Sequence, residues 1–280
     1  MRRFFKLSML CLAVGAASAC STPETVIATE NIPTAGVRFI NAVPDTNAMD
    51  FRFVDIVESN AHYKIGFRNA PSTSSGVTAS TQIEYKNTRA GQRHFRIFLS
   101  DTLQSVASFV LKDTTVTIEA GKLYTALMWG NARAGTMKLV FYEEVVPDPG
   151  SAVGLRVINA TSASTFDVRT YASTGTVPVA TTWANVAPLT RSAFVTAPVS
   201  QIRYNIQPAG GGAVLLADPL ALIGQPATVD IEGTPGTTIA GSGVTAIIFP
   251  ASVAGSKATS FAAPGVSFMW DRRPPRPGTT

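Results

Sequence analysis

The chain has 280 residues, a formal net charge of +5 and a pI near 9.4, with two cysteines and two histidines. The basic excess sits at the two ends, so no basic face is left to neutralise phosphates, which argues against nucleic-acid binding. The length is enough for two ordinary domains with their own cores, without disulfide support.

Met1-Arg2-Arg3-Phe4-Phe5-Lys6 opens the chain with three positive charges. Leu7 to Ala17 is apolar except for Ser8 and Gly15, and Ala17-Ser18-Ala19-Cys20 follows. Charge, a short apolar run and small residues together make a secretory signal. The run falls short of the roughly 20 apolar residues that a spanning helix needs. The segment resembles the lipobox of bacterial lipoproteins, with Ala17 where leucine is usual. That resemblance implies a signal peptide over 1-19, fatty acylation of Cys20 and a lipidated tether over 20-35. Acyl chains contribute about 0.8 kcal/mol per buried methylene, and more than one is needed for stable anchoring. Ser21, rather than aspartate, leans towards the outer membrane. Cys11 leaves with the signal. Loss of Arg2, Arg3 and Lys6 leaves 20 basic against 18 acidic residues.

From Val37 the pattern alternates. Val37-Arg38-Phe39-Ile40, Met49 to Val54, His94 to Leu99 and Met137 to Tyr142 have the period of two that marks half-buried strands. Lys122 to Trp129 is apolar at both parities and suits a central strand. Turns are expected at Pro44-Asp45, Ala90-Gly91, Ala120-Gly121 and Asn131 to Gly135. Val146-Pro147-Asp148-Pro149-Gly150-Ser151 breaks any ladder and reads as a linker.

The pattern then restarts. Leu155-Arg156-Val157-Ile158-Asn159-Ala160 echoes Val37 to Ala42, and Phe166-Asp167-Val168-Arg169 echoes Met49 to Arg52, at offsets of 118 and 117 residues. Further strands are expected over Val177 to Trp183, Ser192 to Thr196, Gln201 to Gln207, Ala227 to Ile231, Val244 to Phe249 and Val266 to Asp271. The doubled element, together with Ala120-Gly121-Lys122-Leu123-Tyr124-Thr125, resembles the bacterial cell-surface family called domain of unknown function 4397. The second copy lacks a clear Ala-Gly-x-x-Tyr-Thr. The resemblance implies an exported, sandwich-like β domain, often in tandem, and carries no catalytic residue with it.

Several groups are candidates for chemistry by residue type and spacing. Asp45, Asn47 and Asp50 supply oxygens that could suit calcium, but without the glycine and distal glutamate of an EF-hand, so a capped turn is the plainer reading. The duplicated Asp50 and Asp167 are expected in cross-strand pairs with outward arginines, Arg52 or Arg38. Asn41 and Asn159 recur where a side-chain amide would close a turn. Gly130 to Thr136 has phosphate-loop glycine spacing, but Thr136 replaces the lysine and a strand follows. His62 and His94, with no thiolate, do not make a structural zinc site. Gly241-Ser242-Gly243 lacks nucleophile-elbow spacing and a nearby histidine. Trp129, Trp183 and Trp270, with Tyr85, could stack on a sugar, though such rings more often pack in cores. The tail Arg272-Arg273-Pro274-Pro275-Arg276-Pro277 blocks edge pairing or meets an anionic envelope polymer or a partner protein.

The expectation is an all-β chain, with two tandem immunoglobulin-like β-sandwich domains after a signal peptide and short tether. Its boundaries are 36-146 and 153-270, joined by a linker at 147-152 and followed by a basic tail at 271-280. The expected role is a non-enzymatic, lipid-anchored cell-envelope module without cofactor. It would be structural or binding, touching the membrane through Cys20 and meeting envelope polysaccharide or another envelope protein. A carbohydrate-binding or adhesive module is the alternative, and a hydrolase with an interdomain site is the third reading.

Overall fold

The computed structural model describes residues 31–56, 62–69, 83–175, 181–258 and 261–274. Cys20, the expected signal peptide, most of the tether, Val177 to Ala180 and the tail beyond Pro274 lie outside these residues. Among the described residues, helix is limited to single turns at Phe67–Asn69 and Gln104–Ala107, and none is long and apolar enough to cross a membrane. The all-β sandwich expectation holds.

The first half contains β1 (Thr34–Asn41), β2 (Met49–Phe53), β3 (His62–Ile65), β4 (Lys86–Arg89), β5 (Gly91–Leu99), β6 (Val110–Ile118), β7 (Leu123–Trp129) and β8 (Lys138–Glu143). They form two sheets ordered β4-β1-β7-β8 and β3-β2-β5-β6. The second half contains β9 (Val153–Asn159), β10 (Phe166–Ala172), β11 (Trp183–Val186), β12 (Thr190–Arg191), β13 (Val195–Ala197), β14 (Ile202–Pro208), β15 (Leu216–Leu220), β16 (Gly243–Phe249) and β17 (Gly265–Arg272). Its sheets run β12-β9-β16-β17, with β13 also on β9, and β11-β10-β14-β15. The two orders correspond strand for strand. In each half the opening strand pairs in parallel with a late one, Arg38 facing Thr125 and Arg156 facing Thr245.

Side-chain parity explains three cores. Val37 and Phe39 point into the first sandwich with Phe51, Phe95 and Met128. There the Phe39 and Phe51 rings stack at 5.3 Å and Phe95 lies 4.7 Å from Phe51. Leu155, Val157, Val168, Tyr204 and Phe268 do the same in the second sandwich. Residues of opposite parity form a third core between the halves: Ile40, Leu127 and Trp129 meet Ile158, Ile247, Phe249 and Met269. The strands β1, β9 and β16 are therefore buried on both faces, which is why they are apolar at consecutive positions. Each fully buried Ile or Phe contributes about 1.5–3 kcal/mol of transfer free energy. The described residues from Pro33 onward form one compact unit, with 147–152 running between two halves that share this core.

Several expected elements differ. Ala227 to Ile231 is not a strand: only Gln225 and Thr234 bridge around it, and Val229 and Ile231 are exposed, so their β-branched character reflects no buried face. The strand expected to end at Trp183 begins there instead, and that expected over Ser192 to Thr196 is Val195–Ala197. At Ala90-Gly91 the chain passes from one sheet to the other, with Gly91 at φ +119°. The edge strand β6 carries little strand signal in the sequence; its threonines alternate weakly with apolar residues.

Candidate functional site

Arg38, expected to face solvent, is instead buried, and so is its counterpart Arg156. Arg38 and Arg156 are 0% and 2% exposed. They share the outward parity of Ile40 and Ile158, and that face is covered by the other half. Arg38 does not meet Asp50. Its Nε donates to Thr125 Oγ1 (2.8 Å), and its Nη2 reaches Asp271 (2.6 Å) and Glu144 (3.3 Å). Arg156 donates through Nε to Thr245 Oγ1 (2.9 Å) and reaches Glu144 (2.7 Å) and Asp271 (2.9 Å). Thr125 donates to Glu144 (2.6 Å) and Thr245 to Asp271 (2.5 Å). Tyr85 lies 4.4 Å over Arg38, and Phe194 lies 4.5 Å over Arg156.

The arrangement has an approximate two-fold symmetry. Arg38, Thr125, Glu144 and Tyr85 correspond to Arg156, Thr245, Asp271 and Phe194. Glu144 follows β8 two residues after Tyr142, the partner of Thr125, and Asp271 lies two residues after Met269, the partner of Thr245. Each guanidinium binds the carboxylate of both halves, as an isologous contact requires. Arg191 breaks the symmetry by adding a third cation at Glu144 (2.9 Å) under the Tyr142 ring. Glu144 accepts four donors and Asp271 three. Burial alone would push the Glu144 carboxyl up, but Arg156, Arg38 and the Thr125 hydroxyl outweigh it and hold it well below the usual range.

Arg68 is a second tie between the halves. It is buried, stands at φ +63°, donates to the carbonyls of Pro250 (2.6 Å) and Ala263, and lies 4.3 Å over the Phe261 ring. Burial pulls its guanidinium down to about 10.

Beside the ionic junction is a groove of about 530 Å³, walled by Tyr85, Lys122, Val146, Trp270 and Arg273, with Glu144 and Asp271 at its lining. Trp270 packs edge-on against Tyr85 at 5.8 Å, and Arg273 covers it at 4.5 Å. A second cavity of about 520 Å³ lies against the loop Thr161–Thr165 and the prolines 208, 250 and 264.

The three tryptophans are not gathered. Trp129 is in the core between the halves, Trp183 is in the core of the second sandwich against Tyr204 (6.4 Å), and Trp270 lines the junction groove. The calcium candidates also go separate ways. Asp45 accepts the N–H groups of Ala132 (2.9 Å) and Arg133 (2.8 Å), Asn47 donates to the Ser100 carbonyl (3.1 Å), and Asp50 binds the Lys64 N–H (2.8 Å) and Arg52. Among the described residues no group of three His, Cys, Asp or Glu is placed to hold a metal. The glycine-spaced segment is the β7–β8 hairpin loop that Asp45 latches. Gly130 stands at φ +90°, and a Cβ there would lie 2.4 Å from the Thr136 carbonyl oxygen. Ser242 is buried and accepts the Gly236 N–H at 3.2 Å.

The polar residues that recur in the two halves have structural partners. Asn41 Oδ1 accepts the Val43 N–H (3.1 Å) and Asn159 Oδ1 that of Thr161 (3.0 Å), closing the same turn twice. Asp50 and Asp167 accept the N–H of Lys64 (2.8 Å) and Asn185 (2.9 Å), which stand at φ +55° and +53° where the edge strands β3 and β11 are out of register. The acids hold matching bulges. His94 is half-buried and pairs with Asp113, whereas His62 is buried against the Val37 carbonyl.

Burial lowers His62 to about 4, against an ordinary 6.5. The unfolded chain then takes up its proton first, so stability falls as pH drops from 6.5 towards 4 and levels off below. Glu144, held low, adds a further loss as pH falls beneath the usual carboxylate range. His62→Gln should remove the upper part of this slope, on the order of 3 kcal/mol between pH 6.5 and 4. Urea unfolding midpoints across that range check it; an unchanged slope would mean that His62 is not the titrating group.

No curated protein matches the chain. A solved structure, the Bacillus anthracis TIE protein, is similar at 12% identity and a TM-score of 0.21, over 79% of this chain. The chain spans 34% of that protein's length. Residues 35–169, running from β1 into β10, match the family model described as Domain of unknown function (DUF4397), which supports the family that the sequence motifs resemble.

Proposed function

We propose that the protein is a lipid-anchored, non-enzymatic module of the cell envelope, built from two copies of one β-sandwich unit. The observation that carries the anchor is the charged start, short apolar run and Ala17-Ser18-Ala19-Cys20. The duplication is supported by the matching strand orders and by the paired sets Arg38/Arg156, Asn41/Asn159 and Asp50/Asp167. Lipid on Cys20 fixes the protein at a membrane, with the outer membrane favoured by Ser21. The buried ionic junction holds the two sandwiches in one arrangement, so partners meet a preformed surface rather than two tethered beads. A carbohydrate-binding role is the second reading, favoured by the Tyr85 and Trp270 rings at the junction groove.

Mass spectrometry of the mature protein tests the anchor: acylated Cys20 is the expected N-terminus. Cys20→Ala should move the protein from the membrane fraction to the soluble one. An unmodified N-terminus elsewhere, or full membrane retention of the variant, would contradict the reading.

A further inference from the structure

The outer face of the sheet β3-β2-β5-β6 carries an unusual pair. Arg52 and Arg96 stand directly opposite each other on β2 and β5. Like charges so placed destabilise a sheet. Each side chain is 40% exposed and has one carboxylate: Asp50 for Arg52, and Asp113, shared with His94, for Arg96. The Arg52 guanidinium lies 5.1 Å from each of the Tyr63 and Phe98 rings, which pins its plane. Tyr63 is 56% exposed, and Lys64 beside it is exposed too. The outer face of the second half repeats the theme, with Arg169 two residues after Asp167 and Tyr171 opposite Arg203.

We propose that this face of the first sandwich docks an acidic polysaccharide through Arg52, Arg96 and Tyr63. The inference rests on the reading of the chain as a binding module and is independent of the lipid on Cys20. Charge complementarity selects an anion. The Arg52 guanidinium is held between two rings, and each of the two guanidiniums spends one N–H on its own carboxylate, which leaves donors for a carboxylate of the polymer, while the exposed ring supplies a stacking surface for a sugar. A sheet face is extended rather than concave, which suits a polymer over a small molecule. The excess is small, Arg52, Arg96 and Lys64 against Asp50 and Asp113, which suits spaced uronates over a dense polyphosphate. A similar face on the second half would raise retention through avidity.

Affinity electrophoresis of the intact mature protein through gels containing polygalacturonate, dextran or polyphosphate tests this. Retardation by polygalacturonate is expected at low salt, weakening as salt screens the contacts, with none in dextran. Arg52→Gln/Arg96→Gln should weaken it at least about tenfold, one lost charge-assisted contact being a factor of that order. Tyr63→Ala should weaken it less, and Lys257→Gln, on an exposed side chain elsewhere, should not change it. An unchanged urea midpoint in the double variant shows that the fold is intact. No retardation by polygalacturonate, equal retardation of the double variant, or equal retention on polyphosphate would overturn the proposal. Acylation of Cys20 would stand or fall separately.

Discussion

Asp271→Ala should destabilise the whole protein by about 3–5 kcal/mol, the cost of leaving a buried charge without its partner. Asp271 binds Arg38, Arg156 and Thr245 at once, and its side chain is 0% exposed. Its removal leaves three cations, Arg38, Arg156 and Arg191, sharing Glu144 alone. Urea unfolding followed by tryptophan fluorescence measures the loss. A change below about 1 kcal/mol, the scale of exposed pairs, would mean that water reaches the cluster. The intact cluster need not add much net stability, because taking its charges from water cancels most of their attraction. Its value is specificity. Only one relative placement of the halves gives both arginines both carboxylates, so a slipped junction would bury unpaired charge.

Phe249→Ala should cost about 3–5 kcal/mol through lost transfer energy and the cavity left behind. Phe249 is 0% exposed on β16 and packs edge-on against Phe67 of the first half at 6.3 Å. The loss should appear as a shift of one unfolding transition, since the residue belongs to a core that neither half owns. Calorimetry distinguishes the outcomes: a second transition, with one half melting at its original temperature, would show that the halves fold independently.

Much of this fold was legible in the chain. Alternation found β1, β2, β5 and β8, and continuous apolar character correctly marked Leu123–Trp129 as central. The repeated Val-Arg-Phe-Ile-Asn-Ala and Leu-Arg-Val-Ile-Asn-Ala placed matching strands in matching positions. The third core was less legible, although its signal was present: Ile40, Ile158 and Ile247 are apolar on the face where a one-sided strand would be polar. Arg38 and Arg156 masked that signal, since a lone arginine on a strand ordinarily faces water. Their partners explain why. Glu144 is 106 positions from Arg38 and Asp271 is 233, so no local pattern connects them. The bulges were hidden for the opposite reason. Asp50 and Asp167 looked like surface charge, and only the left-handed backbone of Lys64 and Asn185 shows what they hold. The tryptophans and the Asp45 loop were candidates by type, and the structure gives most of them packing or capping work instead.

Native-state hydrogen exchange tests most directly whether the two sandwiches are one body. The slowest amides of β5 in the first half and of β14 in the second should open with free energies within about 1 kcal/mol of each other, as members of one cooperative unit. In Asp271→Ala both sets should lose protection by the same amount. Amides of β5 that keep full protection while those of β14 lose it would contradict a single body locked at its ionic junction.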